Sequence, residues 1–238
     1  MRPSIPVLFR DADLLVVDKP AGMLSVPDRY DPDRPVLAEE LRAAEGELFV
    51  VHRLDADTSG VLLFARNAET HKQLSLAFEG RAVTKTYRAL VRGVPAWEES
   101  ACDYPLRPDG DKLHRTIIDG GHGKPSLTRF KVLAKYGPYS LIEALPETGR
   151  THQIRVHLAA LGFPIVADPF YGDGRPLYLS GFKRKWRGNE ATERPLVSRT
   201  ALHALSIELV HPRSGEALRF EAPYPKDLKA AINQLEKR

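Results

Sequence analysis

The sequence predicts an α+β fold with a mixed, largely antiparallel central sheet and flanking helices. Strand-like segments outnumber helical ones and follow one another irregularly, whereas a doubly wound parallel sheet requires regular alternation of strand and helix. Short turns join several neighbouring strands, which is typical of hairpins. No G-x-G-x-x-G or P-loop motif follows a predicted strand, so the sequence gives little support to a nucleotide cofactor.

The length and composition indicate a protein with one substantial core. The chain has 238 residues, of which 42% are hydrophobic, and we expect a single domain over residues 1–238. Its single cysteine, Cys102, excludes an internal disulfide and fits a reducing cytosol. No segment resembles a signal peptide or reaches the roughly 20 apolar residues of a membrane helix. We therefore expect a cytoplasmic monomer with no membrane partner.

The first third of the chain alternates short strands with two helices. Apolar and β-branched runs predict strands at 6–9, 14–18, 48–51 and 60–65. Pro35 at a first helical position and Gly46 as a stop predict one helix. A second helix is predicted between Asn67, as its N-cap, and Gly80.

The remainder of the chain is predicted to contain more strands than helices. Alternation predicts a strand over 83–93 that places Lys85 and Tyr87 on one face. A helix should begin near Thr151 and end at Gly162, because Ile154, Leu158 and Leu161 recur at helical spacing. The other predicted elements are strands at 115–119, 126–136, 139–147, 202–212 and 216–223, the last two forming a hairpin, and a helix at 226–237.

Positive charge is concentrated in one part of the chain. Segment 183–199 contains six Lys or Arg against two Glu, which accounts for the whole net charge of +4. It lies mostly within residues 173–197, which are rich in Gly, Pro and charge and are predicted to form a flexible insertion. A basic stretch that includes Trp186 suits a phosphate-rich partner. A solvated loop is the alternative interpretation.

Residues 51–66 read VHRLDADTSGVLLFAR, with a His, an Arg and two carboxylates directly before an apolar strand. A polar loop on a rigid strand is where enzymes often place reactive groups. Asp55 and Asp57 are candidates for a metal site or an acid/base pair, although residues at this spacing often point in different directions. We favour a rigid loop that presents one ionised carboxylate, Asp55, over a structural ion pair between Asp55 and Arg53.

Other polar residues have candidate roles near this loop. Thr58 and Ser59 are expected to hydrogen-bond the loop backbone, and Gly60 permits close approach of another backbone segment. Tyr87 has Lys85 on its own strand face. It is either a packing residue or a flat ring offered to a base.

Cationic and imidazole side chains crowd the start of the helix predicted near Thr151: Arg150, His152, Arg155 and His157. Positive charge there opposes the helix dipole by several tenths of a kcal/mol per charge, roughly, so an anionic partner is expected. Asp55, an RNA backbone and the local Glu147 are the candidates. The two histidines are five residues apart, off the i, i+4 spacing that converges two imidazoles on a metal, so we expect no metal site.

Four segments, in this order, together resemble the RluA family of pseudouridine synthases: HRLDADTSGVLLFAR, KTYRALVRG, ETGRTHQIRVHLAALGFPIVADPFYG and LHALSIELVHPRSGEALRFEAPYP. The opening LLVVDKPAGMLSVP resembles the family's N-terminal strand and loop. The resemblance covers the chain from about Leu14 to Pro225 and implies an RNA-modifying isomerase. Such an enzyme acts on a uridine of structured ribosomal or transfer RNA without metal or cofactor.

The resemblance also implies roles for individual residues. Asp55 corresponds to the catalytic aspartate of the family, Tyr87 to the tyrosine that lies against the target base, and Arg155 to the arginine that pairs with the catalytic carboxylate. The site should be closed and largely apolar, because water competes as a nucleophile. Further residues expected to bind substrate are Arg53, His52 and Thr58; those expected to exclude water are Val61, Leu63 and Ile154.

The sequence departs from the family pattern in two respects. Ala167 stands where the family has a glycine before the aspartate of ADPFYG, which is expected to loosen the turn around Asp168. Many relatives carry an N-terminal S4 RNA-binding domain, which we do not expect here. RNA affinity should then come from the catalytic domain and its insertion, and no DNA partner is expected. Candidate RNA-backbone contacts are Lys183, Arg184 and Lys185, with Lys124, Arg129, Lys131 and Lys135 as further cations.

Two other function classes remain open at this stage. A nucleosidase or glycosidase with Asp55 as nucleophile needs a second carboxylate as acid, for which Asp57 and Asp168 are the candidates. A non-catalytic RNA-binding protein with the same fold is the other. The MLSVP segment and the expected lack of an S4 domain indicate the shorter branch of the family.

Overall fold

The chain forms two compact units in the computed structural model, which describes residues 5–28 and 34–237. The first unit comprises the chain up to Thr86 together with His203–Pro223, and the second comprises Tyr87–Leu202 together with the chain from Tyr224 onward. Each unit has its own hydrophobic core.

The secondary structure is strand-rich, as expected. The strands are β1 (Val7–Arg10), β2 (Leu14–Lys19), β3 (Phe49–Val50), β4 (Ser59–Ala65), β5 (Thr84–Arg92), β6 (Glu99–Cys102), β7 (Leu106–Arg107), β8 (Ile117–Ile118), β9 (Thr128–Lys135), β10 (Tyr139–Pro146), β11 (Leu202–Val210) and β12 (Ala217–Glu221). The helices are α1 (Leu37–Glu45), α2 (Ala68–Glu79), α3 (Gln153–Ala160) and α4 (Lys226–Glu236), with a 3-10 turn at Glu190–Thr192.

The first unit contains mixed strand pairing. β2 lies antiparallel to β1 and to β4, and β3 is also antiparallel to β4. β4 runs parallel to β11, which forms the predicted antiparallel hairpin with β12. Every residue of β4 is buried. The core combines apolar residues of β2 and β4 with Leu74 of α2 and Phe220 of β12.

The second unit is built on antiparallel strands. β10 lies between β5 and β9, and β9 also pairs with β6. Its core includes Leu158 of α3 and Leu228 and Ile232 of α4, packed with Leu90 and Ile142 of the strands. β4 and β11 are parallel and the other strand pairs described above are antiparallel, so the pairing is mixed and largely antiparallel, which confirms the predicted fold class. No helix in the described residues is long and apolar enough to span a membrane.

Helix α1 begins two residues later than the sequence predicts. Pro35 is extended, and Val36 forms a parallel bridge with Leu24. The backbone N–H of Leu24 donates to the carbonyl of Pro35 (3.1 Å), and that of Leu37 donates to the carbonyl of Leu24 (2.8 Å). This pairing with a distant segment holds the chain extended, so the local preference of proline for the first helical turn does not decide the boundary. The predicted stop at Gly46, with φ of +80°, is confirmed.

The predicted cap of α2 is also confirmed, because the Asn67 side chain accepts from the backbone N–H of Thr70 (2.8 Å). Strands β6 and β7 were not predicted. The segment of β6 is polar and half-exposed and pairs only with β9 among the described strands. It therefore lacks the apolar alternation that identifies a strand from sequence.

The segment predicted as a flexible insertion, 173–197, is anchored in the core of the second unit. Leu177, Phe182 and Val197 are buried there. Its ends are joined because the N–H of Leu177 donates to the carbonyl of Val197 (2.8 Å) and the N–H of Leu196 donates to that of Leu177 (2.7 Å). Lys183, Arg184 and Lys185 therefore lie in a segment whose two ends are fixed to the core of the second unit.

Gly60 lies where two backbones approach closely, as the sequence predicts. It faces Ala204 in the parallel pair of β4 and β11, and its φ is +117°. A Cβ atom added to Gly60 would lie 2.1 Å from the carbonyl oxygen of Ala204. Any side chain at this position therefore forces the two strands apart.

We predict that Gly60→Ala lowers the free energy of unfolding by about 2 to 5 kcal/mol, because it combines an unfavourable φ with a backbone clash. Urea denaturation measures this change. Gly120→Ala is the matched control, since a Cβ there meets nothing within 4 Å. Equal stability of the two variants would contradict the close approach.

Candidate active site

The loop between β3 and β4 presents Asp55, whose side chain is half-buried. The loop turns tightly, because the N–H of Thr58 donates to the carbonyl of Asp55 (3.1 Å). Ser25 fixes the preceding residue twice: its hydroxyl donates to the carbonyl of Leu54 (2.8 Å) and accepts from the N–H of Leu54 (3.0 Å). The backbone on both sides of Asp55 is therefore immobilised.

Lys19 supports the same loop from within the protein. This lysine ends β2 and is fully buried, and its ammonium donates to the carbonyls of Pro20 (3.0 Å), Ala56 (2.9 Å) and Thr58 (2.9 Å). The N–H of Gly22 also donates to the carbonyl of Ala56 (2.9 Å). Sequence reasoning treated this region as an ordinary loop. The sign in the sequence was a lysine two residues after the apolar run at 14–17.

His52 is held by the protein backbone. Its Nε2 accepts from the N–H of Leu63 (3.0 Å), and its ring stacks on Phe78 with 5.0 Å between centroids. Burial, together with the positive charge of Lys85, lowers the pKa of His52 to about 3. The ring is therefore neutral at physiological pH and fastens the loop to β4. Its predicted contact with substrate stays a prediction.

The other predicted residues of this loop differ in exposure. Arg53 is exposed, whereas Thr58 is buried and shapes the loop through its backbone. Asp57 forms an ion pair with Arg34, with 3.6 Å between Oδ1 and Nη2. Asp57 is therefore engaged by a cation, and the choice of Asp55 as the catalytic residue stays a prediction.

In the second unit, Arg155 lies on α3, is 5% exposed, and forms a two-bond ion pair with Asp168. Its Nε donates to Oδ2 (2.7 Å) and its Nη2 to Oδ1 (2.8 Å). Burial tends to raise the pKa of Asp168, but hydrogen bonds from Arg155 and from two backbone N–H groups hold that pKa below its usual value. Asp168, which was not among the candidate partners, is thus an anionic partner of Arg155.

Of the other candidate partners, Glu147 bonds Arg129 (2.7 Å). The pairing of Arg155 with Asp55 implied by the family resemblance stays a prediction.

Aromatic rings surround the Arg155 guanidinium. Its central carbon lies 5.3 Å from the ring centroid of Phe170 and 5.2 Å from that of Tyr171, within cation–π range. The Tyr171 hydroxyl accepts from the N–H of Thr116 (2.9 Å) and shares a second hydrogen bond with Nδ1 of His152 (2.9 Å). Sequence reasoning did not assign Phe170 or Tyr171 a role.

The turn before Asp168 forms despite the alanine at position 167. Ala167 is buried and adopts a left-handed backbone with φ of +57°, a conformation that glycine adopts without strain. Asp168 is nevertheless held through its own N–H, which donates to Ile165 (3.2 Å), and its carbonyl, which accepts from Gly172 (3.2 Å). The expected loosening is therefore absent from the described geometry, and strain at Ala167 takes its place.

Tyr87 lies on β5 opposite Ala144 of β10 and is half-buried. Its ring packs at the margin of the core of the second unit. Ile154 is buried in that same core, and Val61 and Leu63 are buried in the core of the first unit. Val61 and Leu63 thus support β4 within the first unit, and Ile154 supports α3 within the second unit.

Comparison with known proteins gives a consistent result. The sequence profile of the RNA pseudouridylate synthase family matches residues 13–160. An uncharacterised RNA pseudouridine synthase of Chloroflexus aurantiacus is 40% identical over 231 residues, which cover 93% of this chain and 66% of that protein. The ribosomal large subunit pseudouridine synthase D of Xanthomonas campestris is 36% identical over 245 residues, covering 96% of this chain and 69% of that protein.

The chain belongs to the RNA pseudouridine synthase family. Members of this family are isomerases that convert uridine to pseudouridine in RNA. The solved structure of human RNA pseudouridylate synthase domain containing 1 is similar, with a TM-score of 0.70 and 29% identity, and the match covers 100% of this chain and 98% of that one. The match to the Chloroflexus protein covers 66% of that protein's length, slightly less than two thirds.

Six of the cations predicted to contact the RNA backbone fall into two groups. Arg129, Lys131 and Lys135 each have a carboxylate partner. Lys183, Arg184 and Lys185 are exposed and make no ion pair within the described ranges 5–28 and 34–237. Charges already neutralised by carboxylates contribute little to phosphate binding, so the insertion offers the stronger candidates.

One cluster has the composition of a metal site. Asp11, Asp13 and His211 place ligand-type atoms within 4.8 Å of one another. The Asp13 carboxylate also accepts from Asn67 (2.9 Å) and pairs with Arg213. A guanidinium in this position competes with a cation, so we assign the cluster a structural role.

The two helix-start histidines are also engaged. His157 bonds Thr128 through Nδ1 (3.0 Å) and Ser126 through Nε2 (3.1 Å), and His152 bonds Tyr171. Both ring nitrogens of His157 and Nδ1 of His152 are thus hydrogen-bonded within the protein.

The neutral state of His52 predicts a pH dependence of stability. The unfolded chain takes up this proton near pH 6.5 and the folded chain only near pH 3, so the free energy of unfolding falls as the pH drops below about 6.5. Between about pH 7 and about pH 5 this ring should remove roughly 1 to 2 kcal/mol.

His52→Gln should therefore show a smaller loss of stability over that interval in urea denaturation. His122→Gln is the matched control, because the His122 side chain is 87% exposed and should leave the pH dependence unchanged. If His52→Gln loses as much stability as the wild type, a neutral buried His52 is ruled out.

Proposed function

We propose that this protein isomerises a specific uridine in structured RNA to pseudouridine, with Asp55 as the catalytic carboxylate. The observation that carries the proposal is the loop of Asp55: its backbone is fixed by Ser25, Lys19 and Gly22, while the carboxylate itself remains partly exposed. A rigid loop that presents one carboxylate, in a member of this family, supports catalysis at that position.

The reaction detaches the uracil ring from its ribose and reattaches it through a different ring atom. The bond between N1 of uracil and C1′ of ribose breaks, the uracil turns, and C5 bonds to C1′ while its proton is lost and N1 regains one. Asp55 takes part as a nucleophile toward sugar or base, or as a base toward a sugar proton. All three routes need an ionised carboxylate.

A uridine in structured RNA must first leave its stack, which costs a few kcal/mol. We propose that Tyr87 offsets part of this cost by stacking on the target base, at about 1 to 3 kcal/mol. Arg53 is exposed beside Asp55 in sequence, and its planar guanidinium is proposed to fill the gap left in the RNA stack.

The proposed substrate is ribosomal or transfer RNA. The Xanthomonas relative is named for the large ribosomal subunit, which puts large-subunit ribosomal RNA first. Mapping pseudouridines in both RNA classes, with and without the gene, identifies the position.

The glycosidase alternative lacks its second carboxylate. Asp168 is buried and forms an ion pair with Arg155, whose hydrogen bonds help to lower the pKa of Asp168. Asp168 is therefore a poor proton donor. Asp57 is partly exposed and paired with Arg34. Asp168 therefore lacks the raised pKa that a general acid requires, and Asp57 is already engaged by a cation.

We predict that Asp55→Asn lowers pseudouridine formation at least about 100-fold while RNA binding persists, because the substitution removes the charge and keeps the shape. Release of tritium from RNA carrying C5-labelled uridine measures turnover. Asp57→Asn is the control and should retain activity. Wild-type turnover in Asp55→Asn would exclude the assignment, and release of free uracil by the wild type would favour a glycosidase.

We also predict that the triple change of Lys183, Arg184 and Lys185 to Gln weakens RNA binding and reduces the slope of log affinity against log salt by about 2 to 3. The matched control neutralises three exposed lysines elsewhere, Lys72, Lys229 and Lys237. An equal change of slope in both triple variants would assign the effect to net charge and would exclude a specific role of the insertion.

A further inference from the structure

Phe170 is an exposed aromatic residue beside a buried ion pair. Its side chain is 44% exposed, although it directly follows the ADP segment that contains Asp168, which is fully buried. The ring lies 5.3 Å from the guanidinium carbon of Arg155 and 5.8 Å from the ring of His152, measured to centroids. The Tyr171 ring already packs on the same guanidinium, with 5.2 Å to its centroid. Packing on Arg155 therefore does not explain why a second ring is present and exposed.

The backbone of Phe170 is fixed on both sides. Its N–H donates to Oδ1 of Asp168 (2.9 Å), and its carbonyl accepts from Nη1 of Arg115 (2.8 Å). Arg115 is in turn bonded through Nε to Asp111 (2.7 Å). The ring is therefore presented by a rigid support, and little conformational entropy is lost when a ligand packs on it.

The charges around Phe170 favour a neutral, flat ligand over a phosphate. Arg155 is paired with Asp168 and Arg115 with Asp111, so the two cations that contact this residue are matched by two carboxylates. The unpaired cations suited to phosphate lie in the insertion instead. An exposed ring with neutralised surroundings is the arrangement on which nucleobases stack.

We propose that Phe170 stacks on a nucleobase of the substrate RNA, as a contact additional to the one proposed for Tyr87. This inference rests on the proposed function, because it takes the ligand to be RNA. The residue is a substrate contact and takes no part in the bond changes.

The proposal predicts that the flat ring, and not apolar bulk alone, is required. Phe170→Ala and Phe170→Leu should weaken RNA binding, by roughly 5- to 100-fold for the alanine variant, whereas Phe170→Tyr should stay within about threefold of wild type. The slope of log affinity against log salt should not change, since stacking releases no counterions. Filter binding at several salt concentrations measures both quantities.

Tyr104→Ala is the matched control. Tyr104 belongs to the same unit and is exposed to a similar degree, 46% against 44%. It should bind RNA as the wild type does. A direct readout is the fluorescence of Phe170→Trp, which should be quenched by RNA beyond the change that the native Trp97 and Trp186 show in the wild type.

The outcomes separate this inference from the function on which it rests. If the wild type neither binds RNA nor forms pseudouridine, the proposed function itself fails. If the wild type is active and Phe170→Leu binds RNA equally well, only the role of Phe170 is overturned. Loss of thermal stability and turnover in Phe170→Ala, with unchanged affinity and no quenching in Phe170→Trp, would show instead that the ring only supports Arg155.

Discussion

The buried ammonium of Lys19 is the constraint on which the candidate active site depends. A lone buried charge is costly, and here three backbone carbonyls surround the group. Two of these belong to Ala56 and Thr58, so satisfying the lysine also fixes the loop that follows Asp55. Ser25 holds Leu54 on the other side. The backbone on both sides of Asp55 is thus fixed by these contacts.

The second unit uses a different solution for a buried cation. Arg155 is matched by the carboxylate of Asp168, whose remaining acceptor capacity is taken by backbone N–H groups of Phe170 and Tyr171. A buried ion pair contributes little to stability unless such hydrogen bonds complete it, and here they do. The same bonds order the ADPFYG turn and present Phe170 at the surface. The buried ion pair and the exposed ring are therefore linked through a few backbone groups.

The sequence located most elements because apolar alternation and capping residues agree with the final fold. The N-cap Asn67 and the stop at Gly46 are local effects, and both are confirmed. Prediction failed where a distant segment decided the conformation. Leu24 holds Pro35 and Val36 extended and delays α1, and polar β6 is a strand because β9 pairs with it. Hydrogen bonds between segments far apart in sequence leave no local pattern.

The sequence by itself determined the family, the strand-rich mixed fold and the candidate carboxylate, because ordered motifs and residue periodicity are properties of the linear chain. Only the tertiary structure decided what surrounds each charge. It showed Lys19 beneath the loop that carries Asp55, Asp168 as a buried partner of Arg155, and Glu147 bonded to Arg129. It also separated the paired surface cations from those of the insertion. Burial and pairing depend on distances between remote residues, which arise only when the chain folds.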